Sequence, residues 1–243
     1  MRLVIMVMGV RSMGKRLLRG IGGTAILLTI LALGCGGKLE PEEEEGIEVK
    51  LRVVRLVGDV SVEEALAARR SVRVYEETFL TLEEVAQLLW AAQGITSEWG
   101  GRTAPSAGAT YPLEIYVVVG DVEELEVGVY RYFPDEHSVR RVNEGDLRAK
   151  ISSAALGQEW VRTAPVSLVI AASYERTTRQ YGERGKRYVH IEVGHVGQNV
   201  YLQATSLDLG TVMVGAFDDA EVQELLGIEE EPLAIMPVGR PTD

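Results

Sequence analysis

Three arginines and a serine fall within five residues, Arg69-Arg70-Ser71-Val72-Arg73, just after a stretch that reads as a helix. Guanidinium forks and a hydroxyl at that spacing can surround a phosphate, each charge-assisted bond contributing ~1.5–3 kcal/mol. Cations stabilising a helix C-terminus in solvent would use the same residues, so the pattern alone leaves both readings open. A second stretch, Pro105-Ser106-Ala107-Gly108-Ala109-Thr110-Tyr111-Pro112, is a loop whose small side chains would let its backbone approach a flat ligand. An ordinary surface loop would look similar. Val214-Gly215-Ala216-Phe217 ends a strand with backbone N–H groups available at Gly215 and Ala216, or is a plain strand-to-helix turn capped by Asp218.

His190, Glu192 and His195 invite a metal reading that helical geometry opposes. At ~100° per residue the two histidines lie about 140° apart, unlike an i,i+4 ligand pair. Glu192 and His195 share a face, but two ligands without a third read as a buried hydrogen-bonded pair. The sequence holds no Walker A loop, no dinucleotide glycine fingerprint after a strand and no G-x-S-x-G elbow.

The element that must position these groups is the proline-free stretch 188–207, a helix of roughly 30 Å. Val189, Val193, Val196, Val200 and Leu207 form one stripe, and Gly194, Gly197, Tyr201 and Ala204 a second where another backbone can come close. Glu192, His195 and Asn199 form a third. A helix apolar on nearly every side is a buried helix, here the spine of the fold. Around it, Ser61-Val62-Glu63-Glu64 and Thr81-Leu82-Glu83-Glu84 are capping boxes. The second opens a helix that turns Val85, Leu88, Leu89 and Ala92 inward and closes at Gly94. Residues 49–57 alternate like an edge strand, and 113–119 form a buried strand. Residues 129–133 and 138–142 form a hairpin around Pro134-Asp135-Glu136-His137. A helix at 147–156, strands at 166–172, 211–216 and 233–238, and a helix at 218–226 complete the chain. Strands and helices mix without strict alternation, which predicts an α+β domain.

All 36 acidic residues follow residue 34, leaving 20 basic residues beside them, a net charge of −16. So acidic a body argues against nucleic acid, whose phosphates are bound through Lys and Arg. Residues 1–35 read as a targeting segment: Arg11, Lys15, Arg16 and Arg19, an apolar run at 20–33 too short for a comfortable span, then Leu31-Ala32-Leu33-Gly34-Cys35. That ending resembles a bacterial lipobox, with Cys35, the only cysteine, as the lipidated residue. An uncleaved anchor and a mis-assigned start on a cytoplasmic protein are the alternatives. Residues 36–46 form an acidic tether and 47–243 one domain.

Together these stretches resemble the flavin-dependent nitroreductase superfamily, and within it the SagB/ThcOx-type dehydrogenases that include azoline oxidases of peptide tailoring. The resemblance rests on RRSVR (69–73), PSAGATYPLEIYVVV (105–119), GVYRYFPDEHSV (128–139), RYVHIEVGHVGQNVYLQATSLDLGTVMVGAFDD (187–219) and PLAIMPVGRP (232–241), in that order. It implies a central, mostly antiparallel sheet flanked by helices around a long buried helix, and a homodimer with FMN at the interface. It places Arg69, Ser71 and Arg73 on the FMN phosphate and ribityl chain, and Arg70 near the pyrimidine edge. Ser106 and Ala107 would contact the flavin of the other subunit, and the amides of Gly215 and Ala216 would face N5 and O4. Arg240 takes the late basic position. Ala109 stands where many nitroreductases carry asparagine.

The implied activity is ping-pong oxidoreduction, a small-molecule donor giving hydride to flavin N5 and an acceptor taking the electrons. Tyr188 and Glu192 are the candidate acid or base groups. Two alternatives remain: azoline or thiazoline oxidation on a peptide, and a non-catalytic flavin-binding envelope protein. The Lys-Tyr pair of some azoline oxidases has only Arg187-Tyr188 here, with Lys186 one place early. The leader implies a membrane-attached lipoprotein of the cell envelope; the alternative start implies a cytoplasmic enzyme.

Overall fold

In the computed structural model the structure describes residues 47–242. The targeting segment at 1–35 with Cys35, and the tether at 36–46, lie outside the described residues. The strands are β1 (Glu48–Lys50), β2 (Leu113–Val119), β3 (Gly128–Phe133), β4 (Ser138–Glu144), β5 (Val166–Ala172), β6 (Gly210–Thr211) and β7 (Glu231–Gly239). The helices are α1 (Val62–Ala68), α2 (Leu82–Gln93), α3 (Arg148–Ala154), α4 (Glu159–Thr163), α5 (Glu175–Tyr181), α6 (Arg184–Ser206) and α7 (Asp219–Leu226). The strands form one sheet in the order β1-β4-β3-β2-β5-β7-β6, and every ladder is antiparallel. This is the α+β architecture the sequence predicts.

The central strands are apolar on both sides because helices cover both faces of the sheet. On β2, Leu113, Ile115, Val117 and Val119 point toward α2 and α6, where Leu88, Leu89, Val189, Val196 and Val200 meet them. Tyr116 and Val118 point the other way, into Ile151 of α3, Val161 of α4 and Val222 and Leu226 of α7. Both capping boxes close: Glu64 and Glu84 receive the N-cap amides of Ser61 and Thr81, whose hydroxyls accept from the N3 amides. The hairpin β3–β4 forms as predicted.

Five features differ from the expectations. The 49–57 strand keeps a ladder only through Lys50; after Leu51 N–H donates to His137 O the chain leaves β4. The 147–156 helix stops at Ala154 because Leu156 and Gly157 both adopt positive φ, and α4 follows as a separate turn. The 211–216 strand pairs only at Gly210–Thr211, with one further bridge from Val214 to Ile235. Helix α5 was not anticipated, since ERTTRQY carries no apolar stripe and only Thr177 is buried. The spine helix α6 begins earlier than expected and buries Val189, Val193, Val196, Gly197, Val200 and Ala204 on one side. Its opposite side, with Ile191, Gly194, His195 and Gln198, is exposed in the single chain.

Candidate functional site

The arginine motif is fastened to the end of the sheet. Ser71 bridges Thr211, and Val72 N–H donates to Thr211 O at 2.9 Å. Tyr75, buried against the same edge, donates its hydroxyl toward Val72 O at 2.9 Å and Pro237 O at 3.0 Å. Pro237 O also accepts from Thr211 Oγ1 at 2.8 Å. The backbone of 71–75 is thus held by β6 and β7, and its side chains are left to project.

Arg69 and Arg73 form no salt bridge among the described residues, although acidic groups dominate the chain. Each lies over an aromatic ring instead: Arg69 Cζ is 5.1 Å from the centroid of Tyr201, and Arg73 Cζ 5.5 Å from that of Trp160. Arg70 behaves differently. Its Nη1 donates to the carbonyls of Ala67 and Arg69 at 2.9 and 2.7 Å, so this one guanidinium caps the C-terminus of α1. Arg240 is paired with Glu84 at 2.8 Å, half-buried beside the same edge.

Tyr201 joins three parts of this region. Its hydroxyl accepts from Met213 N–H at 2.8 Å and lies 3.2 Å from Ser71 Oγ, while its ring carries Arg69. Beyond Met213 the chain runs to Gly215 and Ala216, both exposed; neither amide donates to another group among the described residues. A Cβ at Gly215 would meet nothing within 4 Å, so a planar group has room to approach. Gln158, just ahead of α4, donates to Ala216 O at 2.9 Å and fixes this turn.

Ser106 and Ala107 belong to a second cluster, beside the middle of α6. Gly108, Ala109 and Tyr111 all take positive φ (60°, 52° and 42°), a strained turn in a loop of otherwise small residues. Ser106 Oγ accepts from Tyr111 N–H at 3.0 Å, and Arg102 lies 4.5 Å over the Tyr111 ring while donating to Gln93 Oε1 at 3.1 Å. His195 Nδ1 is 3.2 Å from Pro105 O. Beneath the loop, Gln93 and Glu192 are 1% and 2% exposed, and Gln93 Nε2 and Glu192 Oε1 have no hydrogen-bond partner among the described residues. Burial raises the Glu192 pKa above the ordinary carboxylate range, against smaller lowering effects from Ser106, Gln93, Arg102 and His195. Tyr188, one turn before Glu192 on α6, packs edge-on against Tyr181 with centroids 5.1 Å apart.

Arg69, Ser71, Arg73, Gly215 and Ala216 therefore gather at one end of the sheet; Ser106, Ala107 and Glu192 gather elsewhere. Glu192 and Tyr201 are about 13 Å apart along α6 at its rise per residue. Tyr201, Trp160, Gln93 and Arg102 escaped the sequence reading. Tyr201 sits on a packing stripe, and its contact to Ser71 spans 130 residues, which no local spacing reveals. Arg102 did offer a signal, as a lone cation in a run of small residues. Among the described residues no cluster could hold a metal ion.

The profile of the nitroreductase family matches residues 66–240. Over 184 residues the chain is 56% identical to MJ1384 of Methanocaldococcus jannaschii, which bears a nitroreductase name; the match covers 76% of this chain and 93% of that one. The trifolitoxin-processing protein TfxB of Rhizobium leguminosarum bv. trifolii is 27% identical over 139 residues, 55% of this chain and 37% of that one. A crystal structure from Ralstonia eutropha, likewise named as a nitroreductase, superposes with a TM-score of 0.71 at 28% identity, covering 81% of this chain and 90% of that one.

Proposed function

Because the chain belongs to the nitroreductase family, we propose that it is an FMN-dependent oxidoreductase that works as a homodimer. The observation that carries this reading is the pair Arg69 and Arg73, which flank Ser71 and have no carboxylate partner among the described residues of an otherwise acidic protein. Two free guanidinium groups and a hydroxyl suit a phosphate monoester, and the open amides of Gly215 and Ala216 suit the polar edge of a flat ring. These residues fit the cofactor. A bound flavin supplies hydride and electron chemistry that no side chain here can supply.

The chain's own residues then have separate tasks. Arg69, Ser71 and Arg73 hold the phosphate and ribityl chain. Arg70 stays at the C-terminus of α1 and reaches the pyrimidine edge only by leaving its carbonyl partners. Arg240, neutralised by Glu84, borders the site. Gly215 and Ala216 donate from the backbone toward the reactive edge. Ser106 and Ala107, on their strained loop, reach the flavin bound to the other subunit, which accounts for a loop far from the phosphate cradle and for the exposed face of α6 with Ile191 at 49% exposure. Burial raises the Glu192 pKa, and Tyr188 lies one turn away on α6, so these two are the groups that would exchange protons with a small donor or acceptor. The test is a spectrum of the purified full chain titrated with NADH and NADPH under nitrogen. Bleaching of a flavin band on titration, reversed by an added acceptor, is expected; a chain that binds no flavin refutes the reading.

Similarity to TfxB favours a second reading, azoline or thiazoline oxidation on a peptide. Lys186, the lysine nearest Tyr188 in the sequence, forms an exposed ion pair with Glu183 at 2.9 Å. Turnover of an azoline peptide, with no turnover of small acceptors, would select this reading.

A further inference from the structure

We propose that Tyr201 is a positioning residue that turns the Ser71 hydroxyl into a hydrogen-bond donor and steadies Arg69, so that the site prefers a phosphate-bearing flavin to the uncharged parent. The proposal rests on the FMN reading above and names the residue that would give its phosphate site selectivity.

A tyrosine hydroxyl has one proton and can also accept. Met213 N–H can only donate, and at 2.8 Å it occupies an acceptor position on Tyr201. The Tyr201 proton is therefore free for Ser71 Oγ, 3.2 Å away. A serine that accepts from Tyr201 keeps its own proton available to donate, which is the polarity a phosphate oxygen requires. Without Tyr201 the Ser71 hydroxyl, exposed to water, could turn either way. The Tyr201 ring adds a second effect. It faces the Arg69 guanidinium at 5.1 Å, in a motif whose backbone β6 and β7 already hold. Arg69 thus keeps its charge at one place, with no carboxylate among the described residues to neutralise it. Through Tyr201, α6 also joins the arginine motif to Met213, two residues before Gly215, so both ends of a bound flavin would be referred to one side chain.

The substitution Tyr201→Phe removes the hydroxyl and keeps the ring. Dissociation constants of FMN and riboflavin are measured by fluorescence quenching on the full chain, stripped of flavin and held in mild detergent. Wild type is expected to bind FMN more tightly than riboflavin. In Tyr201→Phe the FMN constant should weaken by about three- to ten-fold, the worth of one neutral hydrogen bond, with riboflavin within about two-fold of wild type. Equal weakening for both ligands would show a merely structural role and overturn the proposal, as would an unchanged FMN-to-riboflavin ratio. Ser71→Ala, at an exposed position, guards against misfolding of the first variant: it should lose the same preference, and retention of it overturns the proposal. A wild type that binds riboflavin as tightly as FMN would instead refute the phosphate site itself.

Discussion

Gly210 lies directly against Val72: a Cβ at position 210 would sit 2.6 Å from Val72 Cβ and 2.7 Å from each of its methyl groups. A β-branched side chain cannot swing aside cheaply, and Val72 stands between Ser71 and Arg73. Gly210→Ala should therefore push the arginine motif away from β6. The expected result is a loss of about 1–3 kcal/mol of stability from overpacking, with weaker FMN binding. Urea unfolding and a flavin titration on the same variant check both.

Arg69→Ala and Arg73→Ala should each weaken FMN binding by about 1.5–3 kcal/mol, one to two orders of magnitude, as expected for one charged phosphate contact. Arg70→Ala should do much less, because its guanidinium already bonds the carbonyls of Ala67 and Arg69. A flavin titration of the three variants that ranks Arg70→Ala with the other two would contradict the geometry.

Glu192 makes stability depend on pH. Its pKa is raised by burial, so the folded chain keeps a proton at pH values where the unfolded chain has released it. The contribution of Glu192 is most favourable below the ordinary carboxylate pKa and declines as pH rises through the folded value. Glu192→Gln, which cannot ionise, should flatten that decline and stand more stable than wild type at neutral pH. Urea midpoints followed between about pH 4 and pH 8, across the carboxylate-to-neutral range, test the sign.

The full chain, purified in mild detergent, should be yellow and dimeric and should release FMN rather than FAD on heating. Absorbance, chromatography of the released flavin and light scattering report each part. A colourless monomer that takes up no added FMN would defeat both the cofactor and the dimer.

Cys35→Ser should abolish lipid attachment if the leader is that of a lipoprotein. Metabolic labelling with an alkyne fatty acid followed by fractionation decides the matter. Label persisting in the variant, or unlabelled wild type in the cytoplasm, would place the start at a later methionine. Attachment would set the flavin where NAD(P)H is scarce, and a membrane quinol or a redox protein would then be the donor.

Local physics made much of the fold legible. Capping boxes at Ser61 and Thr81, the Asp218 cap of α7 and the apolar runs of β2 and β5 are each encoded within a few residues, and each forms. The failures share a cause in the surroundings. The alternation of 49–57 looks like a strand, but β4 offers partners only to its first residues. The spine helix is apolar enough to be buried all round, yet one chain covers only part of it. The candidate site was legible as a set of motifs, and the fold brings Arg69, Arg73 and the Gly215 turn to one end of the sheet. Which arginine is free and which is spent on a helix end depended on carbonyl positions that no motif records.

Trp160 gives the phosphate cradle an optical handle. Of the chain's three tryptophans, it is the one whose ring supports Arg73, and the Gln158 amide two residues earlier holds the carbonyl of Ala216. An indole in that place feels any change in the field of the neighbouring guanidinium, so its emission should shift when an anion settles there, even one as small and colourless as inorganic phosphate.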